Sequence, residues 1–217
     1  MQRLAVLHTV SFLVDRFKGL LKERYPGLDS FHMLDESLLQ DLLRGAATES
    51  VVPRVERLVR AARDAGADVV LFTCSSTSPA VDAVRPQVDV PIIKIDDAMA
   101  EKAVASGSRI AVLCTASSTV GPSTAIIEEH ARKQEKPVAV RPELCGEAYK
   151  ALMAGDRQEH DRLLVETARR LKGESDVIVL AQASMAHLAK PLAAELGIPV
   201  LASPDLCVES LARYGAR

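Results

Sequence analysis

The chain has 217 residues, of which 48% are apolar and 26% are charged, a composition typical of a soluble globular protein with a substantial core. Its net charge is −2 and its Lys and Arg residues are scattered, which argues against nucleic acid or an anionic membrane surface as a partner. It has no apolar run long enough to span a bilayer and no secretory pattern near its start, so we expect a cytoplasmic protein with its cysteines as thiols.

Short β-rich runs alternate with amphipathic stretches along the chain, which predicts βα units around parallel strands. The predicted strands of the first half are Leu4–Leu7, Phe31–Leu34, Asp68–Thr73 and Ile92–Ile95. The helices predicted with them are Ser11–Arg24, Val51–Ala65, Ser78–Arg85 and Ala98–Ser106. In the second half the predicted strands are Ile110–Cys114, Val138–Arg141, Asp176–Ala181 and Val200–Ala202. The helices predicted there are Ser123–Gln134, His160–Lys172, Ala186–Leu196 and Pro204–Arg213.

The second half of the sequence repeats the first. Ala67-Asp68-Val69-Val70-Leu71-Phe72 returns in altered form as Ser175-Asp176-Val177-Ile178-Val179-Leu180. We therefore predict an α/β fold of two duplicated, flavodoxin-like parallel-sheet halves, residues 1–105 and 106–217, with terminal helices able to pack across the halves. A duplicated unit of this kind usually has its active site in the cleft between the halves. The same spacing aligns Cys74 with Gln182.

Several predicted loops that follow strands are rich in small hydroxyl residues. Ligands of open parallel sheets bind beyond the carboxyl ends of the strands, and hydroxyls with backbone N–H groups suit a carboxylate or a phosphate. For any one of these loops, helix capping is the simpler role. Four such loops at one sheet edge favour a site. The residues that we select as substrate-binding candidates are Thr9, Ser75, Ser76, Thr115, Ser118, Thr119 and Ser184.

Cys74 is the strongest candidate for chemistry. It directly follows an apolar strand and precedes a predicted helix, and a helix N-terminus favours the thiolate, which serves as a base or a nucleophile. The alternative is a buried structural cysteine. Cys114, Cys145 and Cys207 are interpreted as structural. The sequence shows no metal-ligand spacing, no P-loop and no GxGxxG turn, so we expect neither a metal nor a nucleotide cofactor.

The histidines receive no firm role from the sequence. His8 ends the first strand, where it either orients a carboxylate or is satisfied within the fold. His130 and His160 are expected on polar helix faces.

The segment Thr73-Cys74-Ser75-Ser76 resembles the first catalytic-cysteine loop of the aspartate/glutamate/hydantoin racemase superfamily. The duplication and the segment Leu180-Ala181-Gln182-Ala183-Ser184-Met185 carry the same resemblance, because the superfamily often has Gly-Cys-Ala-Gly-Met or Gly-Cys-Thr there. The resemblance implies a cofactor-independent enzyme acting on a small carboxylate, with one cysteine from each half on opposite sides of the carbon next to the carboxylate. Its relatives include maleate isomerases and arylmalonate decarboxylases.

Gln182 stands where the resemblance implies a second cysteine, and a carboxamide neither gives up nor accepts a proton near neutral pH. We therefore predict an amino-acid-racemase-type enzyme with Cys74 and Gln182 as the catalytic pair, Gln182 holding a carboxylate or enolate oxygen. The first alternative is a one-cysteine isomerase or decarboxylase of a small carboxylate. The second is an inactive carboxylate-binding module. Assembly into a homo-oligomer is left open by the sequence.

Overall fold

The computed structural model describes residues 1–216 and divides into two compact units. The first comprises Met1–Ile95 with the C-terminal segment that begins at Cys207, and the second comprises Asp96–Leu206. The sequence predicts a boundary between residues 105 and 106, whereas the contacts place the helix after Asp96 in the second unit. Each unit contains one sheet of four parallel strands, so the predicted α/β fold of two duplicated parallel sheets is confirmed.

The first unit has the strand order β2-β1-β3-β4. Its strands are β1 (Arg3–His8), β2 (Asp29–Leu34), β3 (Val69–Phe72) and β4 (Ile92–Lys94). Its helices are α1 (Phe12–Arg24), α2 (Glu36–Leu43), α3 (Thr48–Asp64) and α4 (Ser78–Val84). Short 3₁₀ helices cover Ser75–Thr77, Arg85–Gln87 and Leu211–Tyr214.

Apolar residues on both faces of the central strands hold the first unit together. On one face, Ala5, Leu7 and Phe72 are buried against α2, α3 and α4. Side chains alternate along a strand, so the next residues of β1 point to the opposite face, where the His8 ring meets Phe17 of α1 with ring centroids 5.9 Å apart. Covering both faces explains why the central strands are continuous apolar runs.

The second unit repeats this plan with the order β6-β5-β7-β8. Its strands are β5 (Arg109–Cys114), β6 (Ala139–Leu144), β7 (Val177–Leu180) and β8 (Val200–Ala202). Its helices are α5 (Asp97–Ser106), α6 (Ser117–Lys133), α7 (Gly146–Met153), α8 (Arg157–Leu171), α9 (Ala189–Leu196) and the start of α10 (Ser203–Ser210). A 3₁₀ helix covers Ala183–Leu188. Helices α7, α8 and α9 bury one face of the sheet, and α5 and α6 bury the other.

The structure differs from the sequence prediction at helices α2, α7 and α6 and at His160. Helices α2 and α7 are absent from the sequence prediction. Asp35 begins α2 by accepting a hydrogen bond from the Ser37 N–H at 3.0 Å. Helix α6 begins at Ser117 rather than Ser123, since Pro122 lies inside the helix instead of starting it. The prediction that His160 lies on a polar face is wrong: its side chain is buried in α8. Within residues 1–216, no helix is both long and apolar enough to cross a bilayer.

Candidate active site

Cys74 lies at the end of β3, between the strand and the 3₁₀ helix Ser75–Thr77. Its backbone is extended, with φ −127° and ψ 115°, and its carbonyl accepts hydrogen bonds from the Thr77 hydroxyl at 2.8 Å and the Thr77 N–H at 3.3 Å. The residue is 8% exposed. Cys74 thus lies at the end of a buried strand, with its carbonyl bound by the turn that follows.

Gln182 occupies the corresponding position in the second unit. It follows β7 in an extended conformation, with φ −138° and ψ 141°, and precedes the 3₁₀ helix Ala183–Leu188. Its carbonyl accepts a hydrogen bond from the Met185 N–H at 3.0 Å, as the carbonyl of Cys74 does from Thr77. The duplication therefore gives Cys74 and Gln182 the same local backbone and different chemistry.

The loop after β5 fixes the orientation of the Gln182 amide. Gln182 Oε1 accepts hydrogen bonds from the Thr115 N–H at 2.6 Å, the Thr115 hydroxyl at 2.8 Å and the Ala116 N–H at 3.4 Å. Backbone N–H groups can only donate, so the atom that faces them must be the oxygen. The Nε2 amide then presents its two N–H donors away from this loop. With Oε1 occupied, the Gln182 side chain has its two Nε2–H groups left to donate hydrogen bonds.

A chain of polar groups in the first unit ends at the residue before Cys74. Thr73 Oγ1 lies 2.9 Å from His8 Nδ1, and His8 Nε2 lies 2.8 Å from His32 Nδ1. The planes of the two imidazole rings are nearly parallel, at 9° to each other, and the hydrogen bond joins the edges of the rings. The Thr73 hydroxyl donates to the Leu7 carbonyl at 3.2 Å, so it accepts from His8 Nδ1–H. His8 Nε2 in turn accepts from His32 Nδ1–H.

His8 and His32, the two hydrogen-bonded histidines, favour the neutral form. Burial, followed by the nearby His32 and Lys18, lowers the pKa of His8 to about 4. Burial and Lys18 also lower the pKa of His32, against a smaller opposing effect from Asp15. His8 is therefore neutral at physiological pH, and its role is that of a hydrogen-bonding group rather than a cation.

The other three cysteines differ from one another in burial and in hydrogen-bond partners. Burial raises the pKa of Cys114 to about 11, with a smaller contribution from Asp96, so this thiol stays protonated. Cys207 is fully buried. Cys145 is half-buried, and its sulfur accepts a hydrogen bond from the Thr167 hydroxyl at 3.7 Å.

The predicted hydroxyl candidates fall into three groups. The Thr9 hydroxyl is buried at the end of β1 and has no hydrogen-bond partner within residues 1–216. Both donors of Thr115 bind Gln182, and the Thr119 hydroxyl donates to the Ala116 carbonyl at 2.7 Å, so these two residues are engaged inside the second unit. The others lie at the start of the helices that follow the strands, Ser118 in α6 and the rest in 3₁₀ helices. Ser76 is 9% exposed, and three are half-buried: Ser75, Ser118 and Ser184.

Two features of these loops were missed by sequence reasoning. The His8–His32 pairing depends on the register of β1 and β2, which a single sequence does not show. In the second unit, Asp161 accepts from His160 and from His187, at 2.7 Å in each case, and His187 lies on the 3₁₀ helix that begins after Gln182. The five-residue spacing of Gln182 and His187 is the one sequence signal that points to this second contact.

Comparison of the chain with solved structures gives matches over nearly its whole length. Allantoin racemase from Klebsiella pneumoniae is 20% identical, with a TM-score of 0.71 and coverage of 99% of this chain and 89% of that one. Glutamate racemase from Bacillus anthracis is 15% identical, with a TM-score of 0.76 and coverage of 98% and 81%. Aspartate racemase from Picrophilus torridus is 13% identical, with a TM-score of 0.74 and coverage of 100% and 96%. At these identities the likeness shows a shared fold.

The sequence itself carries the family assignment. No curated protein gives a significant match to the chain. The model of the Asp/Glu/hydantoin racemase family, in contrast, matches residues 11–211, a span that includes both strand-end loops described above. The chain therefore belongs to the Asp/Glu/hydantoin racemase family.

Proposed function

We propose that the protein is a racemase-type isomerase that moves a proton at the carbon next to a carboxylate without a cofactor. The observation that carries the proposal is the equivalent placement of Cys74 and Gln182 after the third strand of each unit, in a chain of this family. Cys74 acts as the base. Its thiolate takes the proton from the substrate carbon and becomes a thiol, while the electron pair of the C–H bond moves into the carboxylate to give an enediolate. The isomerisation is completed when the enediolate carbon takes a proton from water on its other face and the Cys74 thiol releases its proton to the hydroxide that remains.

Gln182 stabilises the charge that this step creates. Its oxygen is held by Thr115 and Ala116, which leaves the two Nε2–H groups to donate to an enediolate oxygen. A side chain already fixed by three hydrogen bonds does not need to reorganise as the charge develops. We propose that Gln182 and Cys74 act on the same substrate, as the two cysteines do in the racemases that the sequence resembles.

The substrate carboxylate is bound by the polar groups of the strand-end loops. The buried and unpartnered hydroxyl of Thr9 supports this role, because an unsatisfied buried hydroxyl is costly unless a ligand completes it. Ser75, Ser76, Ser118 and Ser184 complete the proposed set, whereas the single O–H of Thr119 is already donated to the Ala116 carbonyl. Thr115 acts indirectly, by orienting Gln182.

A second candidate function follows from the chemistry of the amide. A carboxamide cannot supply the second proton of a symmetrical two-thiol racemase, but it can hold an enediolate. In a decarboxylase, the C–C bond to a carboxylate breaks, carbon dioxide leaves, and the electron pair forms an enediolate that Gln182 holds. The Cys74 thiol then protonates the carbon, giving a new C–H bond and a thiolate.

Exchange of the substrate α-proton with deuterated water tests the proposal. Aspartate, glutamate, a hydantoin and a substituted malonate form a suitable panel, with NMR detection of deuterium incorporation and of carbon dioxide loss. We expect exchange or decarboxylation with the wild-type protein, loss of it in Cys74→Ala, and retention in Cys145→Ala as the matched cysteine control. Binding of these ligands with neither reaction would make the protein a carboxylate-binding module and refute catalysis.

A further inference from the structure

The first unit contains a cavity of about 310 Å³ that none of the proposed chemistry uses. It lies between α1 and β2, and its wall includes Lys18 and Lys22 of the helix and Ser30 and His32 of the strand. Tyr25 closes part of it, with its hydroxyl donating to the Glu209 carbonyl at 3.3 Å. The volume is that of a small-molecule site at the lower end of the usual range.

The cavity carries uncompensated positive charge. Lys18 and Lys22 are one helical turn apart and form no ion pair within residues 1–216. The charge of Lys18 contributes to the lowered pKa of both His8 and His32, and Asp15 offsets only part of that effect at His32. Two cations beside a polar wall suit a ligand with a negative charge.

One ring nitrogen of His32, in the wall of the cavity, has no hydrogen-bond partner among the described residues. His32 Nδ1 bonds to His8, whereas His32 Nε2 is buried and has no partner among the described residues. Buried polar atoms are nearly always hydrogen-bonded, so an unpartnered one beside a cavity points to a ligand atom.

The duplication supplies an internal control for these residues. Ser30 pairs with Leu4 and His32 with Val6, and the second unit has Val140 and Pro142 at the matching register positions. The buried residues Phe17 and Leu21 of α1 match Ser123 and Ile127 of α6, which aligns Lys18 with Thr124 and Lys22 with Glu128. The second unit thus has none of these four residue types at the matching positions, and it has an acidic residue, Glu128, where the first unit has Lys22. The fold therefore does not require Lys18, Lys22, Ser30 and His32.

We infer that this cavity is a binding site for a small ligand bearing an oxyanion, either a phosphate or a carboxylate group. Lys18 and Lys22 neutralise the anion, and Ser30 and His32 Nε2–H donate to it. Donation by Nε2 reverses the polar chain: His32 Nδ1 accepts from His8 Nε2–H, and His8 Nδ1 accepts from the Thr73 hydroxyl. The Leu7 carbonyl loses that hydroxyl but keeps the Thr73 N–H at 3.0 Å, so the reversal leaves no carbonyl unpaired. Binding of the anion in the cavity is thereby coupled to the orientation of the Thr73 hydroxyl, next to Cys74.

Titration of the full chain with inorganic phosphate and with malonate tests this inference. We expect saturable binding by calorimetry, with the tighter probe assigning the site to phosphate or carboxylate ligands. In the double variant Lys18→Gln/Lys22→Gln the affinity should fall by about tenfold, which corresponds to about 1.4 kcal/mol shared by the two charges. Lys150→Gln removes an exposed lysine of the second unit and should leave binding unchanged.

The ring nitrogens of His8 and His32 give the second readout. Nitrogen-15 NMR should show the proton moving from Nδ1 to Nε2 in both rings as the tighter probe saturates. Binding of equal strength in the double variant and in Lys150→Gln, or no saturable binding at all, would overturn the site. Saturable binding with unchanged tautomers would overturn the part given to His32. Shifts confined to the Cys74 loop would assign the anion to the proposed active site instead.

Discussion

Removing the Gln182 side chain should lower the stability of the second unit by an amount that the structure lets us estimate. Gln182→Ala deprives Thr115 of the acceptor for both its N–H and its hydroxyl, at 2.6 Å and 2.8 Å, and Thr115 is 2% exposed. Each lost hydrogen bond is worth about 1 kcal/mol net. The third contact, from Ala116 at 3.4 Å, is too long to add much. We expect the free energy of unfolding to fall by about 2 kcal/mol.

Two further variants separate the acceptor from the donor of this amide. Gln182→Glu keeps an oxygen facing Thr115, so we expect a loss of about 1 kcal/mol or less. Thr115→Val removes only the hydroxyl donor and should cost about 1 kcal/mol. Urea denaturation followed by circular dichroism measures all three variants against the wild type. A Gln182→Ala midpoint equal to that of the wild type would refute the bound orientation of the amide.

The same variants report on catalysis independently of stability. Gln182→Glu and Gln182→Ala both lose the Nε2–H donors, so both should lose about 2.7–4 kcal/mol of transition-state stabilisation, a factor of about 10² to 10³ in turnover. Gln182→Glu should therefore be folded and nearly inactive. Full turnover by Gln182→Glu would show that the amide donates nothing to the reaction.

Three further predictions follow from the thiols and the histidines. Cys74 should be alkylated by iodoacetamide before the more exposed Cys145, because its reactivity comes from its loop rather than from exposure; mass spectrometry of the first labelled peptide decides between them. Gln182→Cys should create or raise racemization of an amino acid or a hydantoin, measured by polarimetry, and no gain would show that more than this residue blocks the two-thiol route. The His8 ring should titrate near pH 4 by NMR. Because its pKa in the folded protein lies below the ordinary 6.5, its contribution to the free energy of unfolding should be full above about pH 6.5 and should diminish as the pH falls towards 4. Titration near 6.5 would contradict its buried, neutral state.

The sequence predicts the sheets better than the site because the two depend on different kinds of information. The central strands are continuous apolar runs that recur in the second half, so the sequence predicts all eight strands. Their ends are less well predicted, because β2 begins at Asp29 rather than Phe31 and β6 ends at Leu144 rather than Arg141. Short helices such as α2 depend on a cap and a few leucines, a weak local signal. The burial of His160 arises from packing of α8 in the second unit, which the helical pattern of its neighbours does not reveal.

The site shows the same division. The position of Cys74 and its counterpart Gln182 follows from the repeat alone. The direction of the Gln182 amide does not, because it depends on Thr115, which is 67 residues away in the sequence. The histidine chain likewise requires the parallel register that sets Val6 opposite His32. The sequence indicates the candidate residues, and the structure adds the neighbours that orient them.

The two units have the same order of strands but different side chains at the ends of their central strands. At the ends of the central strands, the first unit has His8, Thr73 and Cys74, whereas the second has Cys114, Ala181 and Gln182. The first set contains hydrogen-bonding groups around a thiol, and the second contains a thiol that stays protonated beside an amide locked as a donor. In the pair of equivalent residues Cys74 and Gln182, therefore, only the first can carry a proton, whereas the second can donate hydrogen bonds to a negative charge.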